Sequence, residues 1–177
     1  DSLYPVPNWD VSSLPIKDKS LLLSISRQES GFNPRAKSYA NALGLMQVLP
    51  STASFIMKDR AYRKKEVLFD EDNNLYVASK YIQFLLKLDI VKKDVSKMLA
   101  SYNAGPGNFS KWSKKFYTSK IDPIFMIETL PARQTRNYIK LVLTNLWIYK
   151  IRLNEKPNLL FKLASGGIPI YEYRDDR

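Results

Sequence analysis

The chain has 177 residues, of which 45% are hydrophobic, and it contains 6 Gly, no Cys and no His. This length is enough for one domain with a sizeable core, and the composition is typical of a soluble, helix-rich globular protein. Without Cys there is no disulfide or thiolate zinc site, and without His there is neither a Ser-His-Asp triad nor an HExxH metal site. Any proton chemistry must therefore come from Asp, Glu, Lys or Tyr.

The charge balance favours polyanionic partners, because 28 basic and 17 acidic residues give a formal net charge of +11. Nucleic acid, acidic lipid and cell-wall polymer all have the right sign. No nucleic-acid-binding signature accompanies the basic residues, so we expect no nucleic acid partner. No apolar run reaches the roughly 18 residues needed to cross a bilayer, so we expect no transmembrane segment. The chain opens at Asp1 without Met or a signal peptide, which predicts a processed protein or a part of a larger one.

Residues 1–15 contain three prolines at irregular spacing, which predicts an extended N-terminal arm. The first helix should begin at Asp18, a good capping residue, and its period places Leu22, Ile25 and Glu29 on one face. A carboxylate thus stands where the pattern calls for an apolar side chain. Either this acid is buried and paired or protonated, or the helix ends here and the acid lies in water. Periodicity alone leaves both interpretations open.

The segment between Gly31 and Pro50 is predicted to be a compact loop that forms part of a cleft wall. Glycines and prolines punctuate it, and polar side chains that can bind a ligand lie among small residues. These polar side chains belong to Ser38, Tyr39, Asn41 and Gln47.

The next two helices follow from the apolar pattern. One starts at about Ser51 and should bury Phe55 and Ile56 before an exposed basic connection over residues 57–66. Acidic and amide residues at 70–74 then cap a strong helix, whose core face repeats every three or four residues. That face consists of Leu75, Ala78, Ile82, Leu85 and Leu88.

Four more helices are predicted in the second half of the chain. The first begins at Asp94 or Ser96, a short one follows over residues 107–115, and Asp122 before a proline begins the third. The last helix, over about 132–153, should bury Ile139, Val142, Leu143, Leu146 and Tyr149.

The C-terminal segment, residues 157–177, contains glycines, a further proline and a mixed-charge end, which predict a loosely packed tail. We see no internal repeat, linker or low-complexity stretch between the helices. The whole of residues 1–177 is therefore predicted to be a single domain.

Glu128 is a second carboxylate within an apolar stripe, because it follows Ile121, Ile124 and Phe125 by seven, four and three residues. Among the 17 acidic residues only Glu29 and Glu128 stand in such registers, and both adjoin turns. A carboxylic acid that burial keeps protonated can donate its proton to the leaving oxygen of a glycosidic bond. The residues alone thus support a buried acid beside a sugar-sized cleft, and they leave the substrate open.

Four stretches of the sequence resemble the motifs of the catalytic domain of soluble lytic transglycosylases, which cleave the glycan strands of bacterial peptidoglycan. These stretches are residues 29–34 (ESGFNP), 44–53 (GLMQVLPSTA), 102–105 (YNAG), and 128–140 with ETLP and RNYIK. The resemblance covers about residues 15–153, and Ser101 stands where the family usually has Ala. It implies an all-α, lysozyme-like fold of the goose-type and transglycosylase group.

The resemblance also implies a mechanism and a set of site residues. Glu29 would protonate the oxygen between N-acetylmuramic acid and N-acetylglucosamine. It would then act as base while the muramic acid 6-hydroxyl attacks the anomeric carbon, giving a 1,6-anhydro product without a metal or other cofactor. The substrate-binding positions implied by the family are Ser38, Gln47, Leu49, Tyr102, Asn103, Glu128 and Tyr138.

Two other functions stay open at this stage. A hydrolytic lysozyme-type muramidase would share the fold and the acid but use water, with Glu128 as its second carboxylate. A non-catalytic basic module that binds polyanions is supported by the net charge alone. The resemblance further implies a periplasmic protein acting on peptidoglycan strands, fused to further N-terminal helical domains.

Overall fold

The structure, a computed structural model, describes residues 3–116 and 121–173. Within these residues the chain forms nine α-helices and one 3₁₀ turn at Arg60–Arg63, and its only β-pairing consists of isolated bridges. The helices are α1 (Lys19–Ser30), α2 (Pro50–Met57), α3 (Lys65–Leu68), α4 (Glu71–Lys87), α5 (Val95–Ala104), α6 (Pro106–Phe116), α7 (Pro123–Thr129), α8 (Arg133–Arg152) and α9 (Asn158–Ala164). None of these described helices is both long enough and apolar enough to cross a membrane.

Side-chain caps fix the beginnings of three helices where the sequence predicted them. The carboxylate of Asp18 accepts a hydrogen bond from the Leu21 amide at 3.0 Å, and that of Asp122 accepts one from the Phe125 amide at 3.0 Å. Asp94 caps α5 by accepting from the Ser96 amide at 2.9 Å. Each cap satisfies an amide that the helix itself leaves without a partner, so the local sequence alone determines these starts.

The described residues up to Phe84 form one compact unit. In this unit α1 is buried on every side over residues 20–26, and three of its serines donate to backbone carbonyls: Ser24 Oγ, for example, donates to the Ser20 carbonyl at 2.5 Å. Before α1, residues 3–15 contain neither helix nor strand. The apolar face predicted for α4 is confirmed as core, with Leu75, Ala78, Ile82 and Leu85 all 4% exposed or less.

The described residues within Leu85–Tyr173 form a second compact unit. Here α5 packs against α6 and α8, and α7 packs against α8. The predicted core positions of α8 are confirmed as buried: Ile139, Val142, Leu143, Leu146 and Tyr149. The prediction of a single domain over residues 1–177 stays a prediction.

The chain after Pro157 contains a helix that the sequence did not predict. Leu160 and Leu163 of α9 are buried, and so is Tyr171 beyond it. Backbone hydrogen bonds from Val95 to the Pro169 carbonyl at 2.9 Å and from Tyr171 to the Lys93 carbonyl at 2.8 Å join this segment to the start of α5. The remainder of the predicted tail, residues 174–177, lies outside the described residues.

Two predicted core positions are wrong. Phe55 is 66% exposed, because it lies on the outer face of α2, where its ring forms a T-shaped contact with the Phe84 ring at a centroid distance of 5.6 Å. Leu88 is half-buried, since α4 ends at Lys87 and the chain leaves the helical register.

Candidate functional site

Glu29 lies in the last turn of α1 and is half-buried. The helix ends immediately after it, because Gly31 adopts a left-handed conformation with φ of 59° and donates its amide to the Arg27 carbonyl at 3.1 Å. Glycine is favoured at this C-terminal position since it has no Cβ to clash. The helix thus ends beside Glu29, as one of the two open interpretations expected, but the half-buried acid is neither fully in the core nor fully in water.

The loop after α1 folds back on itself through two isolated antiparallel bridges, Lys37 with Leu43 and Leu43 with Val48. Gln47, at φ of 50°, donates its side-chain amide to the carbonyls of Ala36 at 3.1 Å and Gly44 at 2.9 Å. These bonds join Gln47 to two other positions of the same loop and use both hydrogens of the amide. The Oε1 atom of Gln47 is thus the part of the side chain that can accept a bond from a ligand.

Ser38 and Leu49 belong to the same loop. The Ser38 hydroxyl accepts a hydrogen bond from the Ala42 amide at 3.0 Å, which closes a tight turn and leaves the hydroxyl hydrogen able to donate. Leu49 is 40% exposed at the residue before α2. Glu29 and these loop residues all lie in the first compact unit.

Side chains from helices hold this loop, and the sequence prediction did not assign them to the site; Asn74 and Ser30 make the shorter bonds. Asn74 of α4 is 1% exposed; it donates to the carbonyls of Leu43 and Leu68 and accepts from the Met46 amide, all between 2.8 and 2.9 Å. Ser30 donates from its hydroxyl to the Leu45 carbonyl at 2.7 Å. The helical repeat could have identified Asn74 as buried, since it precedes the buried Ala78 and Ile82 by four and eight residues and so lies on the same face of α4.

Gly44 shows how closely Asn74 and the loop approach each other. A Cβ built on Gly44 would collide with the Asn74 amide and with the Leu68 carbonyl, and φ at Gly44 is 78°. Only glycine fits here, because any other residue would place its Cβ against these atoms and would be strained at this positive φ.

Tyr102, Asn103 and Tyr138 lie in the second unit, on α5 and α8. Tyr102 and Tyr138 are 9% and 6% exposed. The hydroxyl of Thr135, a residue that the sequence did not point to, donates to Asn103 Oδ1 at 2.9 Å and so ties α8 to the end of α5. Ser101 donates to the Lys97 carbonyl at 2.9 Å, so its hydroxyl is satisfied within its own helix.

Glu128 does not lie in a buried apolar stripe, and that part of the sequence prediction is wrong. Its side chain is 52% exposed and forms an ion pair with Lys140, whose Nζ lies 3.1 Å from Oε1. The apolar residues that surround it in sequence divide between two faces of α7: Met126 and Ile127 are buried, whereas Ile124 and Phe125 are exposed. A helix of seven residues completes only two turns, so a stripe of this length does not determine which face is covered.

One tyrosine can be set aside as a general base because of its pKa. Burial raises the pKa of Tyr81 to about 12, so this phenol stays neutral at physiological pH and is a poor base. Among the residues that the structure describes, no three acidic side chains are grouped to hold a metal ion.

Comparison with known proteins identifies the family. A family model described as the transglycosylase SLT domain matches residues 15–125. The chain belongs to this transglycosylase SLT domain family. The match includes Glu29, the loop over 31–49, Asn74 and the end of α5, which are the elements described above.

Curated relatives carry transglycosylase names. The soluble lytic murein transglycosylase of Escherichia coli (strain K12) is 33% identical over 145 residues, which cover 80% of this chain and 22% of that protein. The membrane-bound lytic murein transglycosylase C of Haemophilus influenzae (strain PittEE) is 36% identical over 141 residues, covering 69% of this chain and 40% of that protein. The chain thus spans less than half the length of either relative.

Solved structures agree with the family assignment. The 70-kDa soluble lytic transglycosylase of Escherichia coli matches with a TM-score of 0.71 and 32% identity, over 78% of this chain and 22% of that one. An inactive glutamate-to-glutamine mutant of Slt from Pseudomonas aeruginosa matches with a TM-score of 0.69 and 29% identity, over 90% of this chain and 24% of that one. The predicted all-α, lysozyme-like transglycosylase fold and the predicted family are therefore confirmed.

Proposed function

We propose that this chain is the catalytic domain of a peptidoglycan lytic transglycosylase and that Glu29 is its catalytic acid and base. The observation that carries the proposal is the placement of Glu29, half-buried in the last turn of α1 beside a loop that hydrogen bonds hold in one conformation. This element lies inside the segment that matches the transglycosylase SLT domain. The inactive glutamate-to-glutamine mutant of the Pseudomonas aeruginosa enzyme supports an essential glutamate in a similar protein.

The proposed reaction needs one carboxyl group and no external nucleophile. Protonated Glu29 donates its proton to the glycosidic oxygen as the bond from that oxygen to C1 of N-acetylmuramic acid breaks. The 6-hydroxyl oxygen of the same sugar then attacks C1, and the Glu29 carboxylate takes the hydroxyl proton. The products are a 1,6-anhydro sugar and a free 4-hydroxyl on N-acetylglucosamine, and Glu29 returns to its acid form.

The remaining predicted site residues are proposed to bind the sugars. Asn103 presents its oxygen to Thr135, so its amide nitrogen is the group that can donate to an N-acetyl carbonyl. Gln47 would act as acceptor and Ser38 as donor, for the reasons given by their loop hydrogen bonds. Leu49 offers exposed apolar surface to a sugar face, and we assign Tyr102, Tyr138 and Glu128 to substrate binding as well.

The cellular setting follows from the same proposal. A substrate in the cell wall places the enzyme in the periplasm, and relatives several times longer than the match support further domains in the whole protein. The positive net charge of +11 suits a polymer that carries carboxylates.

Product analysis tests the proposal. Digested cell-wall sacculi should yield muropeptides that end in 1,6-anhydro-muramic acid, each one water or about 18 Da below its hydrolysed counterpart in the mass spectrum. Predominantly hydrated products with reducing ends would contradict the transglycosylase and favour a hydrolytic muramidase.

Glu29→Gln is the matched control, because it keeps the volume of the side chain and removes the transferable proton. We expect a loss of activity of roughly 10²–10⁴-fold or more with an unchanged melting temperature. Cleavage within about tenfold of the parent rate would rule Glu29 out as the general acid. A non-catalytic module would instead show no cleavage by the parent chain.

A further inference from the structure

The described part of the N-terminal arm, residues 3–15, packs on the helix that carries Glu29, although almost all of it lies outside the match to the family model, which begins at residue 15. The Arg27 guanidinium lies over the Tyr4 ring at 4.0 Å from its centroid. The Trp9 ring meets the Phe32 ring at a centroid distance of 5.9 Å, with an angle of 54° between the planes. Lys19 at the start of α1 donates from Nζ to the Trp9 carbonyl at 3.2 Å.

The contact between Trp9 and Phe32 involves a strained backbone. Gly31 has φ of 59° and Phe32 has φ of 67°, so two successive residues are left-handed. Glycine adopts this conformation readily, but for a bulky side chain such as Phe it is a true outlier. Strain of this kind persists only where surrounding contacts hold it, and it concentrates at functional sites.

The strained turn begins two residues after Glu29. Its hydrogen bonds run from the Gly31 amide to the Arg27 carbonyl at 3.1 Å and from the Asn33 amide to the Ser30 carbonyl at 3.2 Å. The last turn of α1 and the left-handed pair are thus one hydrogen-bonded unit. Phe32 lies between the residues that form these two bonds and follows Glu29 by three positions.

We infer that Trp9 is a positioning residue for the catalytic acid: by packing on Phe32 it holds the left-handed turn and so keeps the Glu29 carboxyl in its working place. This inference rests on the proposed function of Glu29. Tyr4 supports the same helix end through Arg27.

The arm is anchored independently of Trp9, so the proposed effect is local. The Ile16 amide donates to Ser79 Oγ at 2.7 Å, and Leu14 and Ile16 are 7% and 0% exposed. Removal of the Trp9 ring therefore leaves the base of the arm attached to α4.

The test compares Trp9→Ala with Trp9→Phe and with Val6→Ala, a control within the arm whose side chain is 37% exposed. We expect Trp9→Ala to lower kcat on soluble glycan chains by roughly tenfold or more with KM nearly unchanged, since small displacements of a catalytic group cost rate. The pH profile of kcat/KM, which reports the pKa of the essential acid, should shift in Trp9→Ala. Trp9→Phe should restore most of the rate, and Val6→Ala should match the parent.

Phe32→Gly provides a second test, because glycine adopts φ near 67° without strain. If Trp9 acts through the strained turn, Trp9→Ala should change kcat by less than about twofold in the Phe32→Gly background. An undiminished effect of Trp9→Ala there would contradict the route through Phe32. If Trp9→Ala does not fold, Trp9→Leu replaces it in both comparisons.

The inference is overturned if Trp9→Ala retains the parent kcat and pH profile, and equally if it lowers only the melting temperature. With Glu29→Gln inactive, either result removes the role of Trp9 and leaves the proposed function intact. An active Glu29→Gln variant would instead remove the proposed function, and the inference with it.

Discussion

At the scale of single residues, the site depends on side chains that satisfy backbone groups. Asn74 is the clearest case, because one buried amide pairs with three backbone atoms from two separate segments. A buried polar group left without partners costs about 1–3 kcal/mol. Loss of the Asn74 amide would leave three backbone groups without this partner at once. The rigidity of the loop beside Glu29 is therefore built from a residue that takes no part in the proposed chemistry.

Glu128 gives a prediction at this scale. Its ion pair with Lys140 is exposed, and such pairs contribute roughly 0–1 kcal/mol, so Glu128→Gln should leave the melting temperature nearly unchanged. If Glu128 contacts substrate, Glu128→Gln should lower the rate of sacculus cleavage severalfold without abolishing it, and the products should remain anhydro sugars.

Lys140→Gln is the matched control because it breaks the same ion pair from the other side. If Glu128 acts by contacting substrate, Glu128→Gln should cleave sacculi more slowly than the parent, whereas Lys140→Gln should cleave them at nearly the parent rate. Equal losses of cleavage rate in the two variants would show that the ion pair, and not a contact between Glu128 and substrate, supports activity. Complete inactivity of a folded Glu128→Gln would contradict the one-acid mechanism.

Single residues also show how much the sequence could predict. The caps at Asp18, Asp94 and Asp122 were predictable because a cap depends on residues within one turn. The exposure of Phe55 and Glu128 was not, because an apolar period identifies a face of a helix but not the element that covers it. The bonds made by Asn74 depend on segments some thirty residues away, which no local pattern reveals.

At the scale of elements, Asp94 joins the start of α5 to the segment after α9. Its Oδ1 accepts from the Ser96 amide at 2.9 Å, the Ser96 hydroxyl at 2.5 Å and the Lys97 amide at 3.3 Å. Its backbone forms an isolated antiparallel bridge with Ile170. This pairing explains why the segment up to Tyr173 packs on α5, although its glycines and prolines predicted a loose tail.

Asp94 is 3% exposed, and its burial raises the pKa of its carboxyl above the ordinary value of 3.8, although its hydrogen bonds and Lys97 act in the opposite direction. The folded protein thus binds this proton more tightly than the unfolded chain. The resulting stabilisation is complete below pH 3.8 and is lost as the pH rises through the raised pKa.

Asp94→Asn should remove this pH dependence, because Asn caps a helix about as well as Asp but carries no titrating proton. We expect the stability of Asp94→Asn relative to the parent to increase between pH 3 and pH 7, as measured by urea unfolding at each pH. Asp94→Ala should be less stable than Asp94→Asn by about 1 kcal/mol at both pH values, since it lacks the cap. A relative loss of stability by Asp94→Asn over this range would show that ionised Asp94 is net stabilising.

At the scale of the whole molecule, the charge and the site serve different purposes. The net charge of +11 acts over distance and is spread along the chain, whereas the proposed chemistry needs one carboxyl at the end of α1. The basic connection over residues 57–66 shows this difference between long-range charge and local chemistry. Arg63, Lys64 and Lys65 are exposed, as predicted, and they lie where the 3₁₀ turn ends and α3 begins, without contributing to the core.

The last prediction concerns this basic connection. Replacing Arg63, Lys64 and Lys65 by Gln should weaken binding to sacculi severalfold at low salt, because it lowers the long-range attraction to an anionic polymer. The difference should disappear toward 1 M salt, where the screening length falls to about 3 Å. The melting temperature should change by only a few degrees, since exposed substitutions usually alter stability by less than about 0.5 kcal/mol each.

Replacing Arg152, Lys156 and Lys162, which are also exposed, provides a control with the same change in charge. Similar losses in the two triple variants indicate attraction by net charge, and a loss confined to the first identifies the connection as a contact surface. A large fall in melting temperature in the first variant would contradict the prediction and place residues 63–65 in the folded framework.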